Sequence, residues 1–272
     1  ITPDHLDRYD YKMQNYINAK FRIIRNMQPT DAFIYWQDDP VIEAQLRQVA
    51  TEARLVPFAE HREEGTQAYI DAENELVINS PSSTLRMPRA DLSLNGLHNL
   101  YNSMAAGLSA SLLEVKKDDI RRALSDFDGV EHRLEYTATV DGVRYINDSK
   151  ATNVNSCWYA LESMPSSKSV VLILGGKDKG NDYTEIEPLV LAKVKAIVAM
   201  GKDNSKIIEF FNGKVDTIAD THSIADAVNR CRELSVPGDT VLLSPCCASF
   251  DLFQSYEDRG RQFKAIVNSL TV

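Results

Sequence analysis

Hydrophobic positions change their spacing once along this chain, and the change divides it. From residue 134 onward, short valine, isoleucine and leucine runs alternate with amphipathic stretches. "SVVLILGG" precedes "TEIEPLVLAKV", "AIVAMG" precedes "SKIIEFF", "VDTIAD" precedes "SIADAVNRCREL", and "DTVLLSP" precedes "YEDRGRQFKAIVNSL". Apolar runs buried on both faces, each followed by a helix-period segment, predict an α/β unit with a mainly parallel, doubly wound sheet. Just ahead of them, "LEYTATVDGVRYIND" reads as two alternating strands around Asp141-Gly142, a hairpin signal.

The earlier part is less regular. A helical stretch over 11–26 is followed by an apolar strand over 32–36, a second helix and a strand candidate at 55–58. "INSPSSTLRMPRADLS" is predicted to be loop from its serines and prolines. In "NGLHNLYNSMAAGLSASLL" small and apolar residues recur at helical spacing, which places Asn99 and Asn102 near the start of a buried helix. Two domains follow from the change of texture, 1–128 and 129–272.

Composition narrows the class. The chain has 272 residues, 43% hydrophobic and 25% charged, enough for a substantial core. A formal net charge of −9 argues against a nucleic-acid partner and makes any anion site local. Cys246 and Cys247 are adjacent while Cys157 and Cys231 are isolated, which fits neither a disulfide framework nor a paired zinc site, so reduced, buried thiols are expected. The sequence shows neither a signal-peptide pattern nor an apolar run near the roughly 20 residues that span a membrane, and a cytoplasmic protein is expected. It opens at Ile1 and runs at once into "TPDHLDRY", as the middle of a longer chain would.

In a doubly wound sheet, ligands collect at the carboxyl ends of the strands, which puts "NDSKATN", "GGKDKGNDY", "AMGKDNS" and "SPCCASFDLF" on one rim. "NDSKATN" leads from a strand to a helix, and a helix mouth with Lys150 beside it suits phosphate or carboxylate; the plainer reading is that Asp148 or Ser149 caps the helix. Two glycines after a buried strand, followed by Lys177 and Lys179, mark a close backbone approach, but the GxxxxGK[ST] spacing of a P-loop occurs nowhere. Ser249 lies in no GxSxG and has no obvious histidine partner, so it is a binding hydroxyl rather than a nucleophile. Arg133, in "EHRLE", could hold phosphate or ribose through its planar fork. Asp4, His5, Asp7 and Lys20 allow either helix caps or a metal site.

Six stretches in order, "TPDHLDRY…AK", "GLHNLYNSMAA", "EHRLE", "GVRYINDSKATN", "LILGGKDKGNDY" and "LLSPCCASFDLFQSYEDRGRQF", resemble the ATP-dependent Mur ligases of peptidoglycan synthesis. The resemblance covers essentially the whole chain, and "DSKATN" with "SPCCASFDLF" is similar to the branch that adds D-glutamate. The "DNPR" motif of the branch that adds a diamino acid is missing. It implies a three-domain enzyme of which this sequence carries the later part of the central ATP-binding domain and a Rossmann-like carboxyl-terminal domain, and which is inactive without the rest. ATP and Mg2+ are the implied cofactors, UDP-N-acetylmuramoyl-L-alanine and D-glutamate the implied substrates, and the full-length enzyme is expected to be a monomer.

Residue by residue, the resemblance makes His5 a magnesium ligand and Lys20 the lysine that becomes carbamylated, a change that suits a divalent cation as an ammonium would not. It sets Asn99 and Asn102 on the adenine side of ATP, Arg133 at its ribose and phosphates, and Asp148 at the ribose hydroxyls. Lys150, Thr152, Lys179, Ser249, Phe250 and Tyr256 line the implied D-glutamate site. Lys150 would serve either the tetrahedral intermediate or a substrate carboxylate. Phenylalanine is common in the family where Tyr256 stands, and little change is expected because the ring survives. Closure about a hinge at 128–131 is expected to assemble the site. Two alternatives stay open: another Mur or folylpolyglutamate-type ligase, and a fragment that binds ligand without turnover.

Overall fold

The computed structural model describes residues 1–3, 6–81, 83–94, 96–127 and 129–271. His5, Asp4 and the hinge residue Asp128 therefore lie outside the described residues. The chain forms two compact units, Ile1–Asp128 and Gly129–Val272.

The first unit contains a five-stranded sheet. Its strands are β1 (Ala32–Trp36), β2 (Arg54–His61), β3 (Ala68–Ile70), β4 (Glu75–Ser80) and β5 (Ser83–Pro88), in that spatial order. The first three are parallel and the last two antiparallel. Four helices accompany them: α1 (Met13–Phe21), α2 (Pro40–Leu46), α3 (Leu97–Leu112) and α4 (Lys117–Asp126). Leu100, Met104 and Leu108 sit one helical turn apart on α3 and bury against Val56, Leu76, Ile78, Leu85 and Met87. Ile17 and Phe21 of α1 bury in a separate cluster with Phe33 of β1 and with Val41 and Ile42 of α2.

Residues 78–93 correct the sequence reading. Most of that segment is the β4–β5 hairpin, not loop. Leu85 and Met87 point inward while Thr84 and Arg86 point out, and the two prolines fall at the turn and at the last residue of an edge strand, where no ladder N–H is required.

The second unit follows the predicted alternation. β6 (Glu135–Val140) and β7 (Val143–Asn147) form the hairpin around Asp141-Gly142, both at positive φ. After them come α5 (Val154–Glu162), β8 (Val170–Gly175), α6 (Glu187–Lys193), β9 (Val194–Met200), α7 (Ser205–Phe211), β10 (Thr217–Thr221), α8 (Ile224–Leu234), β11 (Thr240–Cys246) and α9 (Tyr256–Ser269). The six strands run in the order β10-β9-β8-β11-β7-β6, all parallel except the β6–β7 pair. Leu172 and Leu174 of β8 face a core with Leu161 of α5, Val190 of α6 and Phe211 of α7, and Val171 and Ile173 face a second with Cys231 of α8 and Phe263 of α9. A central strand covered on both faces needs apolar residues at every position, which is why this run does not alternate. The last strand in sequence, β11, inserts between β7 and β8, so the loops leaving these three carboxyl ends converge. All four cysteines are buried free thiols in this unit. Among the described residues no helix is long and apolar enough to cross a membrane.

Candidate functional site

The turn after β7 is longer than the sequence suggested. Helix α5 starts at Val154 and is capped by Asn153, whose side-chain oxygen accepts from the Ser156 N–H at 2.8 Å. Asp148, Ser149 and Lys150 therefore lie ahead of the helix mouth and cap nothing, because each is held by a distant part of the chain instead.

Asp148 is 5% exposed. Its carboxyl accepts from the Ser244 hydroxyl at 2.8 Å and from the Leu134 N–H at 3.2 Å. Burial pushes its pKa from 3.8 up to about 7; those two hydrogen bonds and the nearby Arg133 and Arg259 pull it back only in part. A carboxyl whose pKa is raised in the fold contributes stability that is fully present below its unfolded value and lost as pH rises through about 7. Asparagine, always neutral, still accepts from Leu134 and donates to Ser244. Asp148→Asn is thus expected to match wild type in stability below about pH 4 and to exceed it by about 2–4 kcal/mol at pH 8. Urea unfolding at the two pH values checks this; equal midpoints at pH 8 would refute it.

Ser149 and Arg259 form the centre of the rim. The wholly buried Arg259 guanidinium donates to the Ser149 hydroxyl at 2.9 Å, to the Ser149 carbonyl at 2.7 Å and to the Cys247 carbonyl at 3.2 Å. The Ser149 hydroxyl in turn donates to the Tyr256 carbonyl at 2.8 Å. The loops after β7 and β11 are thereby tied to the first turn of α9.

A third tie runs through the entry to the unit. Lys150 N–H donates to the His132 carbonyl at 3.0 Å, and the Asn147 amide donates to His132 Nδ1 at 2.9 Å and to Glu135 at 3.0 Å. An imidazole that accepts at Nδ1 is neutral with its proton on Nε2, and burial lowers its pKa. His132 fits only because residue 260 is glycine, since a Cβ there would collide with the ring.

Lys150 is half-buried at the edge of this network, its ammonium donating to the Tyr256 hydroxyl at 3.2 Å. The loop after β8 is stitched to the same rim. Lys177 N–H donates to the Ala248 carbonyl at 2.8 Å, and Asn181 donates to the Cys246 carbonyl at 3.1 Å. Gly176, at φ +129, lies so close to Ala248 that a Cβ would strike its carbonyl. The close approach signalled by the two glycines is to another loop of the chain itself.

Of the residues read from the sequence, the structure thus brings Asp148, Lys150 and Tyr256 together, with the Ser249 loop tied beside them. Ser249 itself is 2% exposed, whereas Phe250 is 68% exposed. Lys179 is exposed and Thr152 and Arg133 are half-buried. In the first unit Lys20 is exposed on α1, its ammonium 5.3 Å from the Tyr16 ring centre, while on α3 Asn99 is buried and Asn102 exposed. Sequence reasoning missed Arg259, Ser244 and Asn147 as the residues that hold the rim. A signal was present for the first, since a glycine inside a helical pattern marks close approach, and Gly260 follows Arg259.

Among the described residues, the donors do not by themselves fit a divalent cation. Lys20 is an ammonium, which repels one. Among the described residues, Glu131, His132 and Glu135 have ligand-like spacing, but the Lys264 ammonium bridges the two carboxylates at 3.0 and 2.5 Å.

Two family profiles match the chain: "Mur ligase middle domain" over residues 1–110 and "Mur ligase, glutamate ligase domain" over residues 132–247. The chain belongs to the Mur ligase family. Within that family it is 58% identical over 271 residues to a UDP-N-acetylmuramoylalanine--D-glutamate ligase of Bacteroides fragilis, and 55% identical to the ligase of the same name from Porphyromonas gingivalis. These matches take in 99% of the chain but 60% of each relative, so it spans about three-fifths of the length of these curated relatives. The fold is shared with MurF of Acinetobacter baumannii (TM-score 0.70, 19% identity, all of this chain and 58% of that one). It is shared also with E. coli FolC in complex with DHPP and ADP (TM-score 0.67, 17% identity, 99% and 60%).

Proposed function

We propose that a full-length protein carrying this sequence is the ATP-dependent ligase that joins D-glutamate to UDP-N-acetylmuramoyl-L-alanine, acting in the cytoplasm as a monomer. The observation that carries this reading is the 58% identity to a D-glutamate ligase, which runs through both units and the whole rim. The geometry agrees with it in kind, because the rim presents a cation, Lys150, on a scaffold held by the Arg259–Ser149, Ser149–Tyr256 and Lys150–His132 hydrogen bonds.

On this reading residues 1–128 are the later part of the ATP-binding domain and residues 129–272 the D-glutamate domain. Asn99, Asn102, Arg133 and Asp148 serve the nucleotide. ATP, when bound, supplies the phosphoryl group that turns the acceptor carboxylate into an acyl phosphate, a far better electrophile. Arg133 offers a planar fork to phosphate oxygens. Lys150 holds a carboxylate of D-glutamate, with Thr152, Lys179, Ser249, Phe250 and Tyr256 around it, so that the amine faces the activated carbonyl. A fixed ammonium also stabilises the negative charge that develops on oxygen as the amine adds.

The test is a ligation assay on the full-length protein with UDP-N-acetylmuramoyl-L-alanine, ATP and a panel of amino acids. Product with D-glutamate and none with L-alanine or a diamino acid is expected. Product with a folate acceptor, or with another amino acid in place of D-glutamate, would move the protein to a different branch of the ligases.

A further inference from the structure

We propose that the Tyr256 hydroxyl is a positioning residue for the anion site: it sets the direction of the Lys150 ammonium and so the affinity for the carboxylate of the incoming amino acid. The inference rests on the ligase reading above. It replaces the expectation that a ring alone suffices at this position, since phenylalanine could not make the contact.

The Lys150 ammonium lies 3.2 Å from the hydroxyl oxygen and 5.0 Å from the ring centre, so it meets the phenol at its oxygen. Neither partner is free to swing away at its base. Tyr256 opens α9 directly after the N-cap Ser255, and its carbonyl accepts from Ser149 at 2.8 Å. Lys150 is anchored by its own N–H on the His132 carbonyl at 3.0 Å, and the His132 ring stands edge-on to the Tyr256 ring at 6.2 Å. Both side chains are half-buried, so the pair is held yet open to a ligand.

The proton bookkeeping is consistent. An ammonium only donates, so the phenol oxygen accepts and its own O–H points elsewhere. One of the three ammonium N–H bonds is fixed in this way, and the other two are aimed at a carboxylate. A lysine on a four-carbon stem otherwise spends rotamer freedom to reach that geometry each time a ligand binds.

Tyr256→Phe in the full-length ligase tests this, with wild type measured alongside. The expected result is a KM for D-glutamate raised about tenfold, with the KM values for ATP and for the acceptor, and the urea midpoint, unchanged. A D-glutamate KM within twofold of wild type overturns the inference while leaving the ligase reading intact. A joint rise of all three KM values with a lower urea midpoint also overturns it, because that is the mark of a structural residue. Wild type without turnover of D-glutamate removes the ligase reading and this inference with it.

Discussion

Arg259→Lys is expected to lower the stability of the carboxyl-terminal unit by about 2–4 kcal/mol, read as a fall in the urea midpoint with an unchanged slope. The guanidinium is wholly buried and bonds only neutral acceptors: the Ser149 hydroxyl and the carbonyls of Ser149 and Cys247. Burial lowers its pKa to about 10, with the nearby Cys247, Asp251 and Asp148 side chains opposing the shift in part, so it stays charged at neutral pH. The three donors leave a rigid plane in different directions and reach two separate loops. A lysine ammonium on a flexible stem cannot replace them all, and at least one carbonyl is left unsatisfied at a cost of about 1–3 kcal/mol. Some burial cost persists, because the lysine is also a buried cation. A variant within 0.5 kcal/mol of wild type would show that the fork is not what ties the loops.

Lys150→Ala should have the opposite profile. In the full-length ligase, kcat/KM is expected to fall by about 10²–10³ or more, since one preorganised donor at a developing oxyanion is worth about that much. The unfolding midpoint should stay within about 0.5 kcal/mol of wild type, because the side chain is half-buried and, among the described residues, its hydrogen bond goes to the Tyr256 hydroxyl alone. The tie to His132 runs through the Lys150 main chain and survives the substitution. Near-normal ligation by this variant would remove Lys150 from the proposed mechanism. Together the two variants separate holding the rim from using it.

What the sequence disclosed depends on how local the cause is. β8, β9, β10 and β11 with their helices were legible because both signals, apolar runs and helical periodicity, lie within a few residues. The hairpin at Asp141-Gly142 was legible for the same reason. The β4–β5 hairpin was not, because Ser-Pro-Ser-Ser and Pro88 are loop residues by composition, and only the inward side of Leu85 and Met87, set by α3, makes the segment a strand.

The site divides in the same way. That Asp148 and Lys150 share a rim follows from strand order, which the alternation predicts. That Asp148 is turned inward onto Ser244, 96 residues away, and that Arg259 grips Ser149, 110 residues away, are long-range facts no local pattern carries. Asn153, rather than Asp148, caps α5 because the turn is long enough to free the earlier residues for those partners.

The four buried thiols have a practical consequence. Cys157, Cys231, Cys246 and Cys247 all lie beyond residue 129, and burial raises the pKa values of the last three, so almost no thiolate is presented to a reagent in the folded state. Alkylation of these four thiols is therefore a clock for opening of the carboxyl-terminal unit. The order in which the four sulfurs label would reveal which of the two cores, divided by the sheet, comes apart first.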